Sequence, residues 1–380
     1  MEIPYESMAK RNLGLYIDVV SFMGGTPMPD VSRKRFIESC FWLALPLPAI
    51  HFSSFISMDT ELDNKVAVRI NSDFEPGYFK MKRSGELRKR GESLWKLMDS
   101  CELCPRMCAA ERLDGEKGFC EASSQLEIAS FHPHHGEEDA LVGKGGSGTV
   151  FFTNCNLRCV FCINYDISQE GAGEKRTIED LAAMMLKLQH IGCHNINVVT
   201  PTHYSAHILL ALDLAADHGL SLPLVYNTCG WERPEILKVL DGIVDIYLPD
   251  FKYFDSVAAD TYSSGADTYP QVTRDAILEM NRQVGVAKPA ADGLMYRGLM
   301  IRHLVLPNNV SRSAEIMKWI ATYLPKNTYV NIMSQYRPTY KPFDHEKINR
   351  RITRTEYLTV VNAAKDAGLT NLDIQGVPFY

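Results

Sequence analysis

The 380-residue chain predicts an α/β fold, a partial (β/α)6 barrel preceded by a cysteine-rich knuckle. Three observations predict it. From Thr149 onward, short β-branched or apolar runs alternate with longer segments whose apolar residues recur at spacings of three and four, the pattern of a parallel sheet covered by helices. Several helical segments carry start and stop signals, such as Thr177 before an Ile-Glu-Asp first turn and Gly192, Gly219 and Gly368 at C-terminal ends. The suggestive polar and cysteine residues also fall at the C-terminal ends of predicted strands, where β/α folds keep their functional groups.

Residues 1–95 form an N-terminal extension of little legible pattern, because Pro27, Pro29, Pro46, Pro48 and Pro76 interrupt any period until GESLWKLMDS, a short helix. Residues 96–148 hold the knuckle and then a linker rich in His and Gly. The barrel occupies residues 149–380. Its expected strands are GTVFFTN, INVVTP, LPLVYNT, VDIYLPD, GLMIRHLVLP, TYVNIMS and LDIQG. The expected helices are TIEDLAAMMLKLQHIG, SAHILLALDLAADHG, RPEILKVLDG, TRDAILEMNRQVG, SRSAEIMKWIATYLP and RTEYLTVVNAAKDAGL. Internal repeats are not evident.

The 46 acids and 40 bases leave a net charge of -6 without long runs of either sign, so the sequence carries no electrostatic footprint for nucleic acid or an anionic membrane. The apolar stretch Phe41–Ile56 is shorter than the roughly 20 residues a spanning helix needs and is broken by proline. Seven of the ten cysteines lie in two tight clusters, which favours metal ligation in a reducing cytosol over a disulfide scaffold and gives a cytoplasmic expectation.

The first cluster is CNLRCVFC, with Cys155, Cys159 and Cys162 following the first strand. Zinc sites usually present paired CxxC motifs, and no fourth Cys or His stands on this loop. A [4Fe-4S] cluster has four irons, so three thiolates leave one available for another ligand. The second cluster, Cys101, Cys104, Cys108 and Cys120 in CELCPRMCAAERLDGEKGFC, offers four thiolates that can close around zinc or a second Fe-S cluster, as a structural or electron-transfer site. Cys40, Cys193 and Cys229 read as small buried hydrophobes, with Cys229 the one nearest the expected rim. In FHPHHGEEDA, His132, His134 and His135 read as a solvated loop, and Glu137 and Glu138 as substrate contacts.

CNLRCVFC resembles the CxxxCxxC motif of the radical S-adenosylmethionine (SAM) superfamily, in its strand context as well as its spacing. From Cys101 to Gly376 the chain is most similar to the PflX-like group of that superfamily, which is named after pyruvate formate-lyase activating proteins. The markers are the CxLCPRxC knuckle, GEE, GSGTVFF, VTPTHY, NTCGWE and RHLVLPNN.

The resemblance implies a barrel of the radical SAM type. It implies a [4Fe-4S] cluster on Cys155, Cys159 and Cys162, SAM on its open iron, and reductive cleavage to a 5'-deoxyadenosyl radical that takes hydrogen from a substrate. It also implies an electron donor such as flavodoxin or ferredoxin, and a protein substrate is compatible with it. Many members place a Gly-Gly-Glu run after the second strand, where this chain has VVTPTHY, so Thr200, Thr202 and His203 are the candidates there. LVYNTCG and IYLPDFKYFD resemble the (D/N)TNG and DxK runs of glycyl-radical activases. By position they make Asn227 and Asp250 oxygen ligands near SAM and Lys252 a cation for its carboxylate. RHLVLP adds Arg302 and His303 as rim candidates. A glycyl-radical enzyme activase is the narrower alternative, and an Fe-S or zinc protein without SAM chemistry is the alternative of another class.

Overall fold

A computed structural model of the chain describes residues 74–376. Cys40, the apolar stretch Phe41–Ile56 and most of the extension read over residues 1–95 lie outside the described residues. The helix expected from GESLWKLMDS is the end of a longer pair, α1 (Gly77–Arg83) and α2 (Glu86–Lys96).

The barrel follows from β1 (Leu126–His134), α3 (Asp139–Val142), β2 (Ser147–Phe152), α4 (Tyr165–Ser168) and β3 (Glu174–Arg176). The repeating units are α5 (Ile178–Ile191), β4 (Ile196–Val199), α6 (Ser205–Asp217), β5 (Leu224–Thr228), α7 (Pro234–Leu240), β6 (Ile246–Pro249), α8 (Ser256–Tyr262) and α9 (Tyr269–Val284). They continue as β7 (Gly298–Leu304), α10 (Ser313–Tyr323), β8 (Tyr329–Met333), α11 (Arg354–Asp366) and β9 (Asn371–Ile374). The sheet order is β3-β1-β2-β4-β5-β6-β7-β8-β9. From β2 to β9 every neighbouring pair is parallel, while β1 runs antiparallel to β2 and β3 antiparallel to β1. The order ends at β3 and β9 without closing, as a partial barrel requires.

Each of the seven expected strands forms. Thr177 caps α5 with a reciprocal capping box, and Gly192 ends the helix in the left-handed conformation that glycine adopts without Cβ strain. The His-rich segment read as a linker is instead β1, paired with β2 from Ile128 to His134. The run carries no apolar alternation in sequence, and on the sheet His132 and His134 flank Phe151, at 5.5 and 5.8 Å between ring centroids. The fourth expected helix, α9, starts at Tyr269, ahead of the expected Thr273, with Pro270 seated in its first turn.

Strand alternation separates two cores. Val198, Tyr226, Tyr247, Leu299 and Ile301 face outward into the large core under the helices. Their alternates Val225, Ile246, Leu248 and Met300 face inward and pack with Leu141 of α3, Ala287 and Met295. The short helix α3 therefore plugs the bottom of the barrel with Leu141. Two residues further along the inner face, Asn227, Arg302 and Asn331 replace the apolar residues, and the interior turns polar.

Gly230, after β5, has φ +83°, and a Cβ there would stand 2.1 Å from the carbonyl oxygen of Asp250. Gly230→Ala should therefore destabilise the chain by about 2 kcal/mol or more, from left-handed strain plus a backbone clash. Urea unfolding midpoints matching wild type would contradict that close approach.

Candidate metal and cofactor site

Three positive-φ residues shape the strand-end loops: Asn154 and Arg158 around the first cysteines, and Thr200 after β4. The cysteine loop folds back on itself, with the Leu157 N–H donating to Cys155 Sγ at 3.4 Å and the Cys162 N–H to the Cys159 carbonyl at 3.2 Å. Cys159 Sγ lies 3.1 Å from Ser263 Oγ, and Cys162 Sγ 3.1 Å from Ser168 Oγ. All three cysteines line one cavity of about 640 Å³, within the range of about 300–1,000 Å³ typical of small-molecule sites. Burial pushes the Cys159 thiol up to about 12, with Lys252 opposing. A metal centre would supply the positive charge that makes these thiolates stable.

A wrapped loop presenting three sulfurs to one cavity, with N–H and hydroxyl donors already aimed at them, fits a thiolate-held cluster. Among the described residues, no group of three or more His, Cys, Asp or Glu side chains is gathered closely enough to hold one metal ion.

The same cavity collects Thr200, Asn227, Asp250 and Lys252 from the four expected positions, together with Glu137, Arg302 and Cys229. Asp250 is the hub. Its Oδ2 accepts from Lys252 Nζ at 2.6 Å and its Oδ1 from Arg302 Nε at 3.1 Å. Arg302 also reaches Glu137 Oε2 at 3.3 Å and donates to Asn227 Oδ1. Glu137 Oε1 in turn accepts from Asn197 at 3.2 Å and Asn227 at 3.4 Å. Burial alone would raise the Asp250 carboxyl, yet Lys252 and Arg302 hold it below the usual carboxylate range. Glu138, behind Glu137, is buried and bonded to Asn331 at 2.9 Å, and burial raises its carboxyl.

Three expected site residues lie elsewhere. Thr202 turns away from the cavity and donates to the buried carboxylate of Glu232, which Thr228 also meets. His203 is buried, with Nε2 2.8 Å from the Thr153 carbonyl, and burial and then Arg112 hold it neutral, with a pKa of about 3. His303 is a core residue between the Phe251 carbonyl at 2.6 Å and Ser313 Oγ at 2.8 Å, because its neighbour Arg302 takes the inward face of β7.

The knuckle places Cys101, Cys104 and Cys120 in buried positions and leaves Cys108 exposed. Cys108 Sγ and Cys120 Sγ both lie against Gly118, 3.2 and 3.6 Å from where a Cβ would stand, so a glycine keeps the space between them clear. Arg112 Nη1 points at Cys101 Sγ at 3.6 Å.

Arg106, two residues after Cys104, joins the knuckle to the first cluster. Its guanidinium donates to the Asn156 carbonyl at 3.0 Å and the Ser263 carbonyl at 3.1 Å, and it lies over the rings of Phe119 and Trp231 at 3.8 and 4.7 Å. Arg106 stands in the CxLCPRxC marker, but its reach to the cysteine loop, like the contact of Asn197 with Glu137, joins parts of the chain 50 or more residues apart and has no local sequence signal.

Residues 149–279 match the sequence model of the Radical SAM superfamily. The uncharacterized protein MJ0674 of Methanocaldococcus jannaschii is 30% identical over 326 residues, covering 83% of this chain and 88% of that protein. A second uncharacterized protein of that organism, MJ0808, is 23% identical over 299 residues, covering 73% and 81%. Among solved structures, a radical SAM methyltransferase from Sphaerobacter thermophilus aligns with 59% of this chain and 66% of its own length, at 14% identity and a TM-score of 0.38. Methylornithine synthase (PylB) aligns with 59% and 69%, also at 14% identity and a TM-score of 0.38. The chain belongs to the radical SAM superfamily, whose members are enzymes that use a [4Fe-4S] cluster and SAM and draw on a reductant. No helix among the described residues is long and apolar enough to cross a membrane.

Two outcomes test the electrostatics. Arg302→Met leaves Asp250 with Lys252 alone and Glu137 without its cation, so it should destabilise the chain by about 3–5 kcal/mol in denaturant titration; a loss of under about 1 kcal/mol would contradict the network. Glu232 is pushed up to about 7 by burial, against an ordinary value of 4.5. The folded state therefore holds this proton longer than the unfolded one, and the stability it contributes is complete below about pH 4.5 and lost as pH rises to about 7. Glu232→Gln should flatten that decline in unfolding midpoint without abolishing it, because Asp245 is raised to about 7 by the same cause.

Proposed function

We propose that Cys155, Cys159 and Cys162 hold the [4Fe-4S] cluster, that the cavity they share with Lys252 and Asp250 holds SAM, and that this chain acts on a substrate entering from the open side of the barrel. The observation that supports this reading most directly is that the three cysteines and the expected strand-end residues Thr200, Asn227, Asp250 and Lys252 line one cavity. When bound, the cluster and SAM supply a 5'-deoxyadenosyl radical that abstracts hydrogen from the substrate.

The chain's own part is binding and orientation. Lys252 offers a fixed positive charge for a carboxylate, held in place by Asp250. Asn227 and Thr200 offer amide and backbone groups at neighbouring strand ends, and Phe151, Phe161 and Met333 supply apolar wall. Ser263 and Ser168 fix two of the three sulfurs. The knuckle cysteines hold a second metal centre, zinc or Fe-S, which Arg106 ties to the cysteine loop.

A narrower reading is an activase that takes hydrogen from a glycine of a partner protein. It is favoured by the meeting of the NTCG and DFK runs in the cavity, where Asn227 approaches Asp250 through Arg302.

Anaerobically reconstituted wild type should convert SAM to 5'-deoxyadenosine under strong reductant, and a Cys155/Cys159/Cys162 triple Ala variant should not. Absence of that product from iron-loaded wild type would overturn the reading and leave a metal protein without SAM chemistry. Iron, sulfide and zinc counts on the triple variant then identify the knuckle metal. Deuterium passing from a labelled glycine of a partner into 5'-deoxyadenosine would establish the activase.

A further inference from the structure

Six charged side chains line the cavity: Glu137, Asp250, Lys252, Arg302, Arg337 and Arg351. The first four pair with one another in the interior. Arg337 and Arg351 stand exposed at the mouth, and no carboxylate among the described residues pairs with either. Both belong to the segment between β8 and α11. From residue 337 to 353 it carries Arg337, Lys341, Lys347, Arg350 and Arg351 against only Asp344 and Glu346, in a chain whose net charge is -6. Of these bases Arg350 is paired with Glu356.

This basic lip is held against the cysteine loop. The Lys341 N–H donates to the Val160 carbonyl at 2.9 Å. The Tyr340 ring stacks on Tyr165 at 5.0 Å, and Tyr262 meets His345 edge to face at 5.2 Å. Tyr340 adopts φ +78°, a conformation that a tyrosine keeps only where its surroundings impose it. Two unpaired guanidiniums are thereby anchored on the wall of the cavity that the three cysteines share. Guanidinium groups bind carboxylates and phosphates through paired N–H donors, and opposite charge at a cavity mouth also draws such ligands in.

We infer that Arg337 and Arg351 form an anion subsite at the cavity mouth, and that the substrate is a small molecule carrying a carboxylate or phosphate group docked there. The inference rests on the proposed radical SAM reading, in which Lys252 inside the cavity serves SAM and the mouth is left for the substrate.

The test is calorimetric titration of the full-length reconstituted holoenzyme, with SAM bound, using citrate and inorganic pyrophosphate at constant ionic strength and sodium chloride as the control. Wild type should bind at least one probe, citrate indicating a carboxylate and pyrophosphate a phosphate. An Arg337→Gln/Arg351→Gln variant should bind that probe about tenfold or more weakly, the loss expected for charge-assisted contacts. Its iron content should match wild type, which separates a lost subsite from a misfolded chain. Arg337→Lys/Arg351→Lys should fall between the two, because charge is kept and the forked geometry lost.

Equal affinity in wild type and the Gln variant, or heats no different from sodium chloride, would overturn the subsite. Binding of a single-stranded oligonucleotide more tightly than either probe would overturn the small-molecule assignment. A wild-type holoenzyme that binds the probes but does not cleave SAM would overturn the radical SAM reading and leave the subsite standing.

Discussion

The interior of this barrel depends on burying one guanidinium. Arg302 points inward from the middle of β7, where a lone cation would be severely destabilised by loss of water. It is tolerated because acceptors from three other elements converge on it: Asp250 from the end of β6, Asn227 from β5 and Glu137 from the turn before α3. The same contacts hold the strand ends in register and pin the plug. Lys252 takes the second oxygen of Asp250, so one carboxylate fixes both cations. Removing any one charge leaves an odd number inside, so the network stands or falls together.

Above that network, the cysteine loop is fixed from both sides. Ser263 and Ser168 meet two sulfurs from within the barrel domain, and Arg106 reaches in from the knuckle to the backbone beside Cys155. Another carbonyl that Arg106 grips belongs to Ser263, the residue whose hydroxyl contacts Cys159. The stacked Arg106 side chain thereby couples the knuckle to the surroundings of the sulfurs, alongside the Glu121–Arg158 ion pair at 4.0 Å. This joins two cysteine clusters that stand 35 residues apart between Cys120 and Cys155.

Much of the fold was legible because its signals are local. Strand and helix segments were readable from apolar spacing, and Thr177, Gly192, Gly219 and Gly368 marked boundaries within a turn of where they fall. The miss at β1 has a local cause too. His132, Pro133 and His134 carry no apolar alternation, and the segment becomes a strand only because β2 offers its edge. In the site, the motif runs placed Asn227, Asp250 and Lys252 in the cavity. Thr202, His203 and His303 stand outside that cavity: the first two fall in a short 3-10 turn after β4, His303 alternates with the inward Arg302 on β7, and the chain's own polar groups bond all three. Glu137 sat in a segment read as a solvated loop, and its carboxylate finds Arg302 across 165 residues.

By itself the sequence determined what depends on spacing: the α/β class, the positions of the seven parallel strands, and three cysteines close enough to share one centre. The resemblance of that motif, in its strand context, to the radical SAM superfamily's motif pointed to the family that the sequence model matches over residues 149–279. Only the tertiary structure decided which polar residues face inward, which acids neutralise Arg302, and that Arg106 spans the two cysteine clusters. The physical reason is one of range. Capping, turn and ligand-spacing preferences act over a few residues. Burial and charge pairing inside a barrel depend instead on partners brought together from the whole length of the chain.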